Sequence, residues 1–205
     1  MPSAADSMSG EERFLRVATV IDQVGPKAMR AHLQNVFPNL SDELSHQRPR
    51  LLSLQLQGAI NEDQWRILYG PDDRNATKTC AEMDISLLAI LINNLSPTAE
   101  EVHLDRVSAE GIRRIRNYLG RLPVASLQAD VYNDNMKYLE QYVVSLAGPD
   151  MKAMLDELAE ADITPTDQTM KQRAKALRKE FNLQTSLDVP SNFSPVTEGH
   201  FFLHN

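Results

Sequence analysis

Cysteine is nearly absent from this chain. Cys80 stands alone, so no internal disulfide and no cysteine-built zinc site can form. That usage points to an intracellular, reducing compartment, and cytoplasm is the expected location. Glycine is scarce at eight residues, and no Gly-rich phosphate loop or G-x-S-x-G turn is present. The longest apolar run, LLAILI at 87–92, is far shorter than a membrane span needs, so no membrane partner is expected. The N-terminal stretch MPSAADSMSGEERF has neither the apolar core of a signal peptide nor the arginines of a transit peptide. Basic residues are also in deficit, 21 against 28 acidic, a net charge of −7. A general duplex-binding protein has the opposite balance, so any nucleic-acid role needs a local basic patch.

What remains is the composition of a globular protein, 42% hydrophobic and 24% charged over 205 residues. Apolar residues recur at helical spacing, and strict alternation is almost missing. Ser9 and Glu12 form a capping-box pair before Phe14, Val17, Ala18, Ile21 and Val24. Gly25-Pro26 then either kinks one long helix or opens a second, which carries Met29, Leu33 and Val36. Residues 51–56 have an ambiguous period, open to a short helix or an extended strip. Asn61 can cap a helix bearing Trp65 and Leu68, and Asp84 can cap the apolar ISLLAILINNL. Ser108 is read as the cap of a helix ending at Pro123, and Asp130 as the opening of the next. An acidic helix over 150–161 and a basic helix from Thr166 to about Phe181 follow. The expectation is an all-α antiparallel bundle of about six or seven helices. It divides into an extension at 1–9, the main domain at 10–150, a helical appendage at 151–182 and a tail at 183–205.

Candidate chemistry is sparse. Of the five histidines only His200 and His204 are four apart, with Glu198 the one nearby carboxylate, so no metal and no cofactor is expected. Cys80 has no activating histidine near it in sequence. Trp65 and Tyr69 at helical spacing to apolar residues read as core. Lys171, Lys175, Arg178 and Lys179 share one face, suited to pairing with the acidic 156–162 stretch.

One helix carries more. At about 100° per residue, Arg113, Arg114, Asn117 and Arg121 share one face with Glu110, opposite Ile112, Ile115, Leu119 and Leu122. Arg116 falls on the border between the two faces. Arginine forks fit phosphate oxygens and carboxylates, so this face is read as a surface for RNA or an acidic protein partner. A solvated face, with Glu110 pairing to Arg113 or Arg114, is the alternative.

Four segments together resemble a known family. They are GPKAMRAHLQNVF (25–37), LLSLQLQGAINEDQWRILYG (51–70), MDISLLAILINNLSP (83–97) and VSAEGIRRIRNYLGRLPVASLQADVYNDNMKYLEQYVVSLAG (107–148). In this order and spacing, over about residues 10–150, they are similar to HEPN domains (higher eukaryotes and prokaryotes nucleotide-binding). The likeness is to the subfamily first described in a DAZ-interacting, RNA-binding ubiquitin ligase. The resemblance implies an all-α fold that commonly forms homodimers, with a role in innate immune or ubiquitin-related assemblies. Many members are metal-independent ribonucleases with an R-x-x-x-x-x-H motif, often beginning Arg-Asn. There the arginine holds the scissile phosphate and the histidine moves protons.

This chain departs from that motif. One alignment sets Arg116-Asn117 at the Arg-Asn pair and Arg121 near the histidine position. The other, which keeps Met136 and Leu139 in register, sets Leu119-Gly120 at the pair and Ala125 near the histidine. Neither supplies a histidine, because none occurs between His103 and His200. Arginine stays protonated and cannot replace it as an acid–base group. No catalytic residue is assigned, and the expected function is a non-catalytic binding or dimerisation module using Arg113, Arg114, Arg116, Asn117 and Arg121. The alternatives are a ribonuclease whose base is His103, and a death-fold-like adaptor.

Overall fold

The computed structural model describes residues 7–70, 76–77, 79–95, 101–161 and 166–185. These form α1 (Gly10–Gln23), α2 (Gly25–Val36), α3 (Leu40–His46), α4 (Arg48–Leu56) and α5 (Glu62–Tyr69). Then come α6 (Ile85–Leu95), α7 (Glu101–Arg121), α8 (Ala129–Ala147), α9 (Asp150–Glu160) and α10 (Asp167–Thr185). No strand occurs among the described residues, and the architecture is the expected all-α bundle. It has more segments than expected because short helices fill the 40–70 stretch.

Side-chain caps set several helix starts. Ser9 accepts from the Glu12 amide at 3.1 Å, and Asn61 and Gln64 form a reciprocal capping box on α5. Asp84 accepts from the Leu87 amide at 2.7 Å. It also accepts from Gln64 Nε2, so one carboxylate ties α5 to α6. Thr166 accepts from the Thr169 amide before α10. Pro26 sits in the first turn of α2, where its missing N–H costs nothing. Pro49 does the same for α4, so the ambiguous 51–56 stretch is helical.

Two boundaries differ from those expected. α7 starts at Glu101, and Ser108 is a fully buried residue within it, not its cap. α8 starts at Ala129 with Gln128 at the cap position, while Asp130, in the first turn, accepts from the Val131 amide.

α6 is buried nearly all round, through Ile85, Leu87, Leu88, Ala89, Leu91, Ile92 and Leu95. α7 and α2 pack on it, α8 packs on α7 and α2, and α1 bridges α2, α7 and α8. α9 lies on α8 and α1, and α10 lies on α7 and α1. Leu155 and Leu177 thereby join the same core. Trp65 and Tyr69 are core residues, with ring centroids 4.4 Å apart. Tyr69 donates to the Leu44 carbonyl at 2.8 Å.

Arginines fasten the packing by donating to carbonyls at helix ends and loops. Arg13 reaches Leu127 and Met8. Arg16, itself buried, reaches Leu158 and Ala159 at the end of α9. Arg30 holds the carbonyls of Cys80 and Met83 at 3.0 Å each. In α10, Arg178 donates to Leu122 and Pro123, and Arg173 pairs with Asp22 of α1. Those bonds place the basic helix against α1 and the end of α7.

His32 of α2 is buried, with Nε2 3.8 Å from Asp105 Oδ2 of α7. Burial is the larger influence and lowers its pKa below the ordinary value, against the opposing pull of Asp105 and of the Leu146 backbone. Below about pH 6.5 the unfolded chain therefore binds a proton that the folded chain resists. This contribution to stability is complete above that pH and is lost as pH falls towards the lowered folded value. Thermal unfolding from pH 7.5 to 5 should show a falling midpoint, and His32→Gln should flatten the fall. An equally steep fall in the variant contradicts the assignment.

Candidate functional site

α7 is amphipathic on two counts. Its inward face carries Ala109, Ile112, Ile115 and Leu119, all buried. Its outward face carries the charged residues, and the structure separates the five that the sequence grouped. Arg113 makes a two-pronged contact with Glu110, Nε–Oε2 2.9 Å and Nη2–Oε1 2.9 Å. Arg114 lies one step round, 67% exposed, with Nε 3.4 Å from the same carboxylate. Arg121 is exposed in the last turn.

Arg116 does not belong with them. It is 1% exposed and donates from Nη2 to Ser86 Oγ of α6. Its border position on the helix turns inward because Ser86, small and polar, leaves room for the guanidinium and accepts from it. Asn117 is half-buried, and its Oδ1 is buried without a hydrogen-bond partner among the described residues. The surface part of the set is therefore Arg113, Arg114 and Arg121. At the alternative motif alignment, Leu119 and Gly120 are buried, so that register places core residues where the family's Arg-Asn pair would act.

The outward face of α7 also borders a groove that sequence inspection missed. It encloses about 610 Å³ between α7 and α8, with Asn93 of α6 at its edge. α7 contributes His103, Arg106, Val107, Glu110, Gly111, Arg114, Ile115 and Tyr118. α8 contributes Asn135, Tyr138 and Tyr142. The volume falls in the range of ligand-binding clefts. Tyr138 and Tyr142 stack at 6.1 Å with an interplanar angle of 15°. Burial and the neighbouring Tyr138 push the Tyr142 phenol pKa up, opposed by Arg114. Two causes hid this groove. Placing the start of α7 at Ser108 leaves out His103, Arg106 and Val107. The tyrosines lie on two helices that only packing brings together.

Gly111 shapes the groove floor. A Cβ there would lie 2.2 Å from Tyr142 Cε2, so the ring packs this closely against the helix only because position 111 has no side chain.

The other candidate groups are elsewhere. Cys80 is fully buried, and burial pushes its thiol pKa up, away from the reactive thiolate. Among the described residues no group of three or more His, Cys, Asp or Glu could hold a metal ion. His200, His204 and the aromatic tail lie outside the described residues. No described helix is long and apolar enough to cross a membrane.

A family model described as DZIP3/hRUL138-like HEPN matches residues 38–171, more than half of the chain. The match takes in α7, α8 and the groove between them, and runs through α9 into α10. No curated protein and no solved structure matches.

Gly111→Ala should lower the unfolding midpoint even though alanine is the better helix former by about 1 kcal/mol. Overpacking against Tyr142 outweighs that gain, at a cost of about 1–3 kcal/mol. In a Tyr142→Ala background the same change should be neutral or stabilising. A stabilised single variant contradicts the close packing of ring on helix.

Proposed function

The chain belongs to the DZIP3/hRUL138-like HEPN family, and from that premise we propose that it is a non-catalytic binding module. Its ligand is anionic, an RNA strand or an acidic segment of a partner protein, and docks on the outer face of α7. Within the family's order of elements such a module serves as a scaffold in regulatory or innate immune assemblies.

The separation of His103 from the surface arginines Arg113, Arg114 and Arg121 carries this reading; Arg106, one turn from His103, is half-buried and already has a partner. His103 and Arg114 share a face but stand eleven residues apart, about 16 Å along the axis. A general base and a phosphate-holding arginine must converge on one reacting centre, within hydrogen-bond reach of its atoms. These two cannot do so on one copy of the helix. Glu110, the carboxylate between them, is already engaged by Arg113 and Arg114. Arg116, which one motif alignment would make the phosphate ligand, is inside the bundle. What stays at the surface is a set of cationic and aromatic groups fitted to hold a ligand.

Single-stranded RNA serves as the polyanion probe, at low salt and with chelator present. The expected result is binding without cleavage. Arg113→Ala/Arg121→Ala should weaken binding and flatten its salt dependence, by about 0.7 in log–log slope for each phosphate that is no longer neutralised. Chelator-resistant cleavage that vanishes in His103→Ala contradicts the non-catalytic reading. Unchanged binding in the double variant contradicts the surface.

A further inference from the structure

We infer that the groove between α7 and α8 is a docking site for an acidic amphipathic helix of a partner protein. This rests on the reading of the outer face of α7 as the binding surface, and it names the ligand.

Residue periodicity points to a helical occupant. Leu104, Val107, Gly111, Arg114 and Tyr118 follow one another along α7 at steps of three and four residues. Asn135, Tyr138 and Tyr142 do the same on α8. This is the spacing at which a helix presents a continuous seam to another helix. The seam is distinct from the inward stripe of Ile112, Ile115 and Leu119 that meets the core. Its large apolar members Leu104, Val107, Tyr118 and Tyr138 are exposed. α7 thus carries a second seam, covered by Tyr142 at Gly111 and exposed at Leu104, Val107 and Tyr118.

The shape of the groove fits the same occupant. From His103 to Tyr118 it follows fifteen residues of α7, about 22 Å or four turns. That length takes about fifteen residues of helix. The Tyr142 ring fills the space over Gly111 and forms the middle of the floor, with Val107 and Tyr118 exposed on either side of it. Leu104 and Val107 offer aliphatic surface, which a helix buries favourably and a nucleic-acid strand uses poorly.

Charge selects an acidic partner. The chain carries −7 overall, yet Arg106 and Arg114 border this groove, and its one carboxylate, Glu110, is held by Arg113 and Arg114. A partner helix with Asp or Glu flanking its apolar seam complements that balance, in on-rate and in specificity.

The test is selection from a displayed library of helical peptides with randomised seam and flank positions, using the full chain as bait. Enriched sequences should carry apolar residues at heptad spacing with Asp or Glu beside them. A synthetic copy of the winner should bind at least tenfold more weakly to Tyr138→Ala and to Val107→Glu. Both positions are exposed, so these variants should unfold at the parent temperature, which is checked first. Arg114→Glu should lose at least tenfold and regain it when the flanking acids of the peptide are exchanged for lysine.

No enrichment, or enrichment indifferent to these three variants, overturns the inference. So does self-association of the chain through the same residues in sedimentation. Arg114-dependent RNA binding with no helix enriched overturns the inference and leaves the binding-module reading standing. Loss of both kinds of binding removes both.

Discussion

The burial of α6 against α7 governs how the remaining helices can sit. α6 is apolar nearly all round, so it must be enclosed, and α7 and α2 are the helices that enclose it. This fixes the rotation of α7 about its own axis. Ile112, Ile115 and Leu119 point inward, and Arg116 is carried in with them to meet Ser86. The same rotation turns Val107, Arg114 and Tyr118 outward. The core therefore determines which arginines can meet a ligand, and the groove with α8 follows from how the core is filled.

Arginine is used here as a fastener as much as a surface charge. Arg13, Arg16, Arg30 and Arg178 each donate to main-chain carbonyls, several of them at the ends of helices where carbonyls lack intrahelical partners. Hydrogen bonds from charged donors contribute about 1.5–3 kcal/mol each. Committing cations to structure narrows what the surface can offer to an anionic ligand. It makes the few positive groups around the α7 groove stand out on an acidic chain. Glu110 sharpens the effect by holding Arg113 in a two-pronged contact, while Arg114, more loosely tied, remains largely exposed.

Much of the fold was legible in the sequence. Ser9, Asn61, Asp84 and Thr166 announced helix starts because a side-chain oxygen followed by an unsatisfied amide is a local event. The apolar run of α6 announced the centre of the bundle, and Trp65 and Tyr69 announced core. The start of α7 was not legible, because Ser108 imitates a cap and Leu104 and Val107 before it are exposed, away from the core. Arg116 was undecidable on one helix, since its place depends on a serine thirty residues away. The candidate site was half legible. The outward arginines follow from helix periodicity, but the tyrosines of α8 reach them only through packing. Family membership, too, was legible from four spaced segments, although the ligand was not.

If α7 divides its arginines between core and surface, thermal unfolding of four single variants will show it. Arg113→Ala, Arg114→Ala and Arg121→Ala should each melt within about 3 °C of the parent, as expected for exposed or partly exposed pairs. Arg116→Ala should melt at least about 5 °C lower, because a buried charged donor is removed from the α6–α7 packing. An Arg116→Ala protein that melts with the parent, while Arg114→Ala collapses, would contradict that division.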